Sequence, residues 1–298
     1  MRKPNFFIVG APRCATSAMN TYLKQHPEIF MAKKESHFFA TDLNAPHFTK
    51  DKDKYLALFS KAGDEKRIGE ASVMYLYSRQ AASKIKEFCP RARIIIMLRN
   101  PVDMMYTLHR HNVYHGSENL IDFEVALNAE KERKKGLRIP KNVRLVEGLF
   151  YRELAKYTQQ VKRYLDVFGQ ENVFVVIYDE FKNNTPKVYK RTLQFLEVND
   201  NFQPEFSIIN PEKEIRIHSL HRFLKNKKVQ SLLDTVISCP IRLFFEKALT
   251  RLNTQHASDP QYSMDLNLRR RLQAEFAAEV ESLSKLLGRD LTYWTKTV

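Results

Sequence analysis

Two arginines of this chain each follow a short apolar run and stand near hydroxyl side chains, a combination that could bind phosphate groups. Arg13 lies in the segment FFIVGAPRCATSAMNTYL, which has the order strand, tight turn and helix. In that arrangement the N–H groups of the turn and of the first helical turn converge on an anion, helped by the helix dipole. Arg99 precedes Thr107 by eight residues, and a guanidinium with a hydroxyl group suits a phosphate monoester. The sequence therefore indicates two phosphate-binding points.

The first of these loops differs from the nucleoside-triphosphate pattern G-x-x-x-x-G-K-[ST]. Gly10 and Ser17 fit its first and last positions, but Ala15 replaces the second glycine. Thr16 replaces the lysine that holds the β- and γ-phosphates of a nucleotide. Because its cation is Arg13 instead, we expect the loop to bind a phosphate group and to suit ATP with magnesium poorly. An ordinary strand–turn–helix connection that happens to contain an arginine is the alternative.

Both segments resemble the cofactor site of sulfotransferases that use 3′-phosphoadenosine 5′-phosphosulfate (PAPS). APRCATSA (11–18) resembles the 5′-phosphosulfate loop, in which the family more often has Lys at the basic position and Gly at the position of Ala15. RNPVDMMYT (99–107) resembles the 3′-phosphate segment, which usually ends in Ser. The resemblance implies that the 5′ side is bound by Arg13, Cys14, Ala15, Thr16, Ser17 and Ala18, and the 3′-phosphate by Arg99 and Thr107.

The resemblance extends over most of the chain and is weakest at about 199–265. Further segments that carry it are His26-Pro27 with KKESHFF (33–39), GEASVMYL (69–76), HGSENLIDFEVALNAE (115–130), GLFYRELAKY (148–157) and VFVVIYDEFKNNTPKVYKRTLQFLEV (173–198). The end, LSKLLGRDLTYW (283–294), is similar to that of bacterial members. Some members close over the 3′-phosphate with a late basic residue, and Arg216 is the nearest candidate for it.

The resemblance also implies the catalytic residues. Glu35 occupies the place of the general base proposed for the carbohydrate-modifying branch, and Arg13 would stabilise charge on the bridging oxygen as the leaving group departs. An ordinary Glu side chain has a pKa of about 4.3, so we expect an efficient base at this position to be buried. A surface pair between Glu35 and Lys33 or Lys34 is the alternative.

Two other groups could serve as the base. Glu70 with Ser72 is the second acidic choice, and a structural role as an N-terminal helix cap explains Glu70 equally well. Animal polysaccharide members have a functional Lys after that Glu, whereas this chain has Ala71, which indicates a different acceptor site. His37 is a further candidate, because another branch of the family uses a histidine base.

Three histidines, His109, His111 and His115, raise the question of a metal site, since the last two lie one helical turn apart. No HExxH pattern and no paired cysteines accompany them. Sulfuryl transfer does not in principle need a metal, because the sulfuryl group carries less charge than a phosphoryl group. We therefore expect no metal, and either contact with acceptor or cofactor or plain exposure for these histidines.

The elements that must position these residues follow from the hydrophobic pattern. Continuous apolar runs at 6–9, 94–98 and 173–178 predict strands buried on both faces, as in a parallel sheet covered by helices. Helical patterns lie at 16–25, 78–88, 103–114, 123–134, 150–168, 185–196 and 266–287. We expect a single domain over 1–298 with an α/β, P-loop-like three-layer fold and a mostly parallel central sheet. Its core covers about 5–198, and a helical C-terminal part covers about 215–298.

The charge and the cysteines narrow the classes of protein. The 298 residues include 49 Lys and Arg against 34 Asp and Glu, a net charge of +15, which favours an anionic partner. Three cysteines, Cys14, Cys89 and Cys239, are too few and too widely spaced for a disulfide framework. The first residues have no secretory signal pattern and no apolar run reaches the length of a membrane span, so we expect a cytoplasmic protein. The resemblance of the end of the chain to bacterial members implies that it is bacterial.

These features predict an enzyme that moves a sulfuryl group from PAPS to a hydroxyl or amine of a saccharide, glycolipid or small metabolite, releasing 3′,5′-ADP. One alternative is a non-catalytic basic protein that binds an anionic polymer, supported by the positive charge. The sequence has no helix-turn-helix, zinc-finger or RNA-recognition pattern, so we expect no nucleic-acid partner. An atypical nucleotide-dependent kinase is the second alternative, which the missing loop lysine disfavours.

Overall fold

The computed structural model describes residues 2–32, 35–207 and 264–296, together with the backbone of two short strands, Lys213–Ile215 and Thr254–His256. The prediction for Arg216 and the basic stretch 216–228 lies outside the described residues. Much of the expected helical C-terminal part also lies outside them.

A five-stranded parallel sheet forms the centre of the structure. Its strands are β1 (Phe6–Gly10), β2 (Ile29–Met31), β3 (Arg67–Ala71), β4 (Arg93–Leu98) and β5 (Val173–Ile177). They lie in the order β2-β3-β1-β4-β5, and each neighbouring pair is parallel. The two remaining strands, β6 (Lys213–Ile215) and β7 (Thr254–His256), form a separate antiparallel pair. The predicted α/β fold with a mostly parallel sheet is confirmed.

Helices flank the sheet. They are α1 (Thr16–Leu23), α2 (Lys52–Ala57), α3 (Ala81–Phe88), α4 (Pro101–Tyr114), α5 (Phe123–Asn128), α6 (Glu130–Arg133), α7 (Tyr151–Ala155), α8 (Tyr157–Phe168), α9 (Tyr178–Asn183), α10 (Thr185–Leu196), α11 (Leu266–Glu275) and α12 (Ala277–Leu287). Short 3-10 turns lie at Val146–Leu149, Gln170–Asn172 and Thr292–Thr295.

Three predicted long helices are each divided in two. The pattern at 150–168 breaks at Lys156, whose ψ of 79° turns the chain between α7 and α8. Breaks at Ala129 and Phe276 likewise divide the patterns at 123–134 and 266–287. A helical hydrophobic period continues through such a break, because the residues on both sides still pack against the same core.

The sequence patterns did not reveal β2 and β3. β2 is apolar but has only three residues, and β3 (RIGEA) is interrupted by Arg67 and Glu70, so neither forms a long apolar run. Glu70 is nevertheless fully buried inside its strand. The pattern fails here because buried hydrogen bonds, and not hydrophobicity, accommodate this residue.

The candidate residues come together at the carboxyl edge of the sheet. Because β1 lies between β3 and β4, the loop after Gly10 is flanked by the residues after Ala71 on one side and by Arg99 on the other. The Ala11 N–H donates to Met97 O at 2.7 Å, which ties the loop to β4. This edge is where ligands bind in open α/β sheets.

Gly10 is a position where only glycine fits. Its φ is +152°, and an added Cβ would lie 2.7 Å from both Leu76 Cβ and Val73 O. We expect Gly10→Ala to lower the free energy of unfolding by about 1–3 kcal/mol, measured by denaturant titration. Gly148→Ala is the control, because an added Cβ there would meet no described atom within 4 Å. Equal stability of the two variants would contradict this account.

No helix in the described part of the chain combines the length and the apolar character that crossing a bilayer requires. The predicted cytoplasmic location stays a prediction.

Candidate active site

The loop between β1 and α1 has an unusual backbone. Arg13 and Ala15 adopt φ values of +59° and +62°, which cost energy for residues with a side chain. Ala15 is the N-cap of α1, and its carbonyl accepts the N–H groups of Ala18 and Met19. The N–H groups of Thr16 and Ser17 have no acceptor among the described residues. The first turn of an eight-residue helix therefore offers two donors to an anion.

Cys14, at the centre of this loop, has a side chain that is shielded from solvent. The thiol is fully buried, its Sγ lies 3.3 Å from Pro12 O, and burial raises its pKa to about 12. Any contribution of Cys14 to anion binding comes from its backbone.

Arg99 lies directly beside the loop. Its side chain is 6% exposed, its Nη1 lies 3.5 Å from Arg13 O, and its guanidinium stacks on the Tyr178 ring at 4.5 Å. The sequence motifs did not predict Tyr178 as a site residue, although its place directly after β5 puts it at the carboxyl edge of the sheet. The ring and the cation are therefore close enough for a cation–π interaction.

Thr107 lies two turns into α4. Asn100 begins the helix by accepting the Val102 N–H, with Pro101 in the first turn. Thr107 is 2% exposed, and its Oγ1 is buried without a hydrogen-bond partner among the described residues. A buried hydroxyl without a partner is costly, which fits a group that completes its hydrogen bonds with a ligand.

The histidines of α4 separate into two kinds. His111 Nδ1 lies 3.4 Å from Arg13 Nη1, and the rings of His111 and His115 are 4.3 Å apart. Burial, then Arg13, His115 and Arg144, lower the pKa of His111 to about 3, so its neutral ring can accept a hydrogen bond. His109 instead belongs to the core, with its Nε2 2.8 Å from Leu120 O.

No group of three or more His, Cys, Asp or Glu side chains that could hold a metal ion is present in the described ranges.

Glu35 forms a pair with His37. Its Oε2 lies 3.1 Å from His37 Nε2, while Lys33 and Lys34 lie outside the described residues. The Glu35 side chain is 42% exposed, so the expected burial of the base is wrong. The exposure leaves one side of the carboxylate open to an acceptor. His37 is 4% exposed, so its ring is shielded from solvent while its Nε2 contacts the Glu35 carboxylate.

Glu35 shares a cavity with the phosphate loop. The cavity has a volume of about 160 Å³ and is lined by Thr16, Ser17, Asn20, Thr21, Ala32, Glu35 and Ala71. A larger cavity of about 790 Å³ shares none of these residues, but His37 forms part of its wall beside Phe38, Phe39 and Phe48. The smaller cavity brings the candidate base and the candidate anion donors to one place.

Glu70 is neither a helix cap nor exposed to a substrate. It lies within β3, is fully buried, and accepts hydrogen bonds from hydroxyl groups. The helix-cap interpretation is therefore wrong, and the burial of Glu70 among the described residues gives no support to its role as the base.

Comparisons with known proteins show the family to which the chain belongs. The sequence matches the model of the sulfotransferase domain over residues 3–250. The solved structure of a sulfotransferase from Alicyclobacillus acidocaldarius superimposes with a TM-score of 0.75 at 30% identity, covering 99% of this chain and 100% of that one.

Curated relatives are much longer than the matching part. The human bifunctional heparan sulfate N-deacetylase/N-sulfotransferase 2 is 26% identical over 207 residues, which are 66% of this chain and 22% of the relative. The membrane-associated sulfotransferase kil1 of Dictyostelium discoideum is 27% identical over 117 residues, 37% of this chain and 23% of the relative. The chain thus spans about a fifth of the length of the curated relatives it matches.

Proposed function

The chain belongs to the sulfotransferase family, and from this premise we propose that it transfers a sulfuryl group from PAPS to a hydroxyl or amine of an acceptor, releasing 3′,5′-ADP. The observation that carries the proposal is the pairing of the Arg13 loop with Arg99 at one edge of the sheet, the two in contact at 3.5 Å. PAPS has a phosphosulfate at one end and a phosphate at the other, so it needs two such binding points.

The residues fit this donor. Arg99 is a buried cation that lies over the Tyr178 ring, and the Thr107 hydroxyl lies on the following helix without a described partner. A 3′-phosphate would accept from both and so satisfy the buried hydroxyl. The N–H groups of Thr16 and Ser17 would bind the 5′ side together with Arg13. When bound, PAPS supplies the sulfuryl group.

One residue then acts on the acceptor and another on the leaving group. Glu35 takes the proton of the acceptor hydroxyl or amine as the acceptor attacks, and His37 holds its carboxylate. Arg13 stabilises the negative charge that develops on the 5′-phosphate of the leaving group. His111, uncharged beside Arg13, accepts from the guanidinium without adding a second positive charge.

The acceptor in this proposal is a saccharide, glycolipid or small hydroxylated metabolite. Among these, a saccharide is supported by the human relative, whose name states that it acts on heparan sulfate. The net charge of +15 supports an acceptor that is anionic.

Thermal unfolding with 3′,5′-ADP, 5′-AMP and ATP·Mg²⁺ tests the donor. A ligand at about 100 times its dissociation constant adds roughly 2.7 kcal/mol to the free energy of unfolding. We expect 3′,5′-ADP to raise Tm the most, whether or not magnesium is present. A rise with ATP·Mg²⁺ alone would contradict the proposal and favour the kinase. No response to any of the three would favour a protein that binds an anionic polymer.

A further inference from the structure

The carboxylate of Glu70 is surrounded by hydroxyl groups. Oε1 accepts from Ser36 Oγ, from Ser72 Oγ at 2.6 Å and from Tyr75 OH at 2.9 Å, and Oε2 accepts from Tyr55 OH at 2.6 Å. Its hydrogen-bond partners in the described part of the chain are these four hydroxyls and no cation. Burying a carboxylate in this way is costly, so the hydrogen bonds must compensate for lost solvation.

Three of these hydroxyls also hold the backbone next to Glu35. Ser72 Oγ accepts the His37 N–H at 3.0 Å, and Tyr75 OH accepts the Phe39 N–H at 3.3 Å. Ser36 Oγ accepts the Phe38 N–H at 3.3 Å. Each hydroxyl has one hydrogen, and donating it to Glu70 directs the oxygen lone pairs toward the N–H groups. Glu70 therefore orients the acceptors that hold three consecutive residues.

The segment held in this way has a strained backbone. His37 has a φ of +52°, which a residue with a side chain keeps only where its surroundings determine it. Its Nε2 is the contact of Glu35 Oε2, and its ring packs against Phe48 with centroids 4.3 Å apart. The position of the Glu35 carboxylate thus depends on the conformation of His37.

We propose that Glu70 is a positioning residue, which through Ser36, Ser72 and Tyr75 holds residues 36–39 so that His37 keeps Glu35 in place to accept the acceptor proton. The proposal rests on the proposed function for the role of Glu35. Its structural part, that Glu70 fixes this segment, stands independently of it.

Tyr75 and Tyr55 offer a matched pair of variants. Both rings are fully buried and both hydroxyls donate to Glu70, but only Tyr75 OH also accepts an N–H of the 36–39 segment. Tyr75→Phe and Tyr55→Phe each remove one phenolic hydroxyl that donates a hydrogen bond to the Glu70 carboxylate. We expect Tyr75→Phe to lower the hydrogen-exchange protection of the Phe39 N–H by about tenfold, and Tyr55→Phe to leave it nearly unchanged.

Turnover should follow the same order. With de-N-sulfated heparin as the probe acceptor, we expect Tyr75→Phe and Glu70→Gln to lower kcat by roughly 10- to 100-fold, because a small displacement of a catalytic group is enough. Their affinity for 3′,5′-ADP should stay within about threefold of the parent protein, since the four hydroxyls that donate to Glu70 in the described part of the chain belong neither to the loop of Arg13 nor to α4. Tyr55→Phe should lose less kcat than Tyr75→Phe at a similar loss of Tm.

Equal protection of the Phe39 N–H in the two tyrosine variants would overturn the proposal, as would equal kcat losses that follow Tm. If the parent protein neither binds 3′,5′-ADP nor sulfates the probe, the donor proposal is the one in question, and the exchange measurement still decides the role of Glu70.

Discussion

Glu35→Gln is expected to lower kcat by about 10²- to 10⁴-fold, the usual contribution of a general base. The amide keeps the size of the side chain and an oxygen near His37, but it cannot take a proton. The affinity for 3′,5′-ADP should change by less than about threefold, because the residues proposed to bind its phosphates are those of the Arg13 loop, Arg99 and Thr107, and not Glu35. The measurement is the rate of 3′,5′-ADP release with the best acceptor from a panel of an amine-bearing saccharide, a glycolipid and a phenol.

Glu132→Gln is the matched control for the change in charge. Its side chain is 49% exposed against 42% for Glu35, and its basic partner within the described ranges is Arg138, at 3.6 Å. We expect this variant to keep its kcat. If Glu35→Gln also keeps it, Glu35 is not the base, and His37→Gln becomes the variant to measure.

Arg99→Ala is expected to weaken the binding of 3′,5′-ADP by 2–5 kcal/mol, which is roughly 30-fold to several thousand-fold in Kd. The loss is large because a buried phosphate would be left without its cation. The binding of 5′-AMP, which has no 3′-phosphate, should change far less. Isothermal titration calorimetry of the two nucleotides with both proteins gives the difference directly.

Thr107→Val separates ligand binding from stability at the same subsite. The valine has nearly the shape of threonine, and the hydroxyl it removes has no hydrogen-bond partner in the described structure. We therefore expect no loss of Tm in the free protein, and a loss of about 1–3 kcal/mol in 3′,5′-ADP binding. Equal losses for 3′,5′-ADP and 5′-AMP in both variants would place the 3′-phosphate elsewhere.

The sequence by itself determined the fold class and the residues at the ligand-binding edge. The runs before Gly10 and Arg99 are apolar on both faces, and such strands form a parallel sheet whose carboxyl ends meet at one edge. The fit of the phosphate loop to helix α1 is also local, because a turn and the helix after it are set by adjacent residues. The parts of the fold and of the site that depend on residues adjacent in the sequence could be predicted.

The tertiary structure alone decided which polar side chains are buried and which groups they contact. Glu70 follows Glu35 by 35 residues and meets Ser36 because β3 lies beside β2, the strand that precedes Ser36, an order that no local pattern encodes. The contact of Arg13 with His111 likewise joins residues 98 positions apart. His37, the partner of Glu35, is held in turn by the hydroxyl of Ser72, which accepts the His37 N–H from 35 positions along the chain. Hydrophobic periodicity reports which face of an element is buried, whereas a buried polar group is determined by partners that only the packing of distant segments supplies.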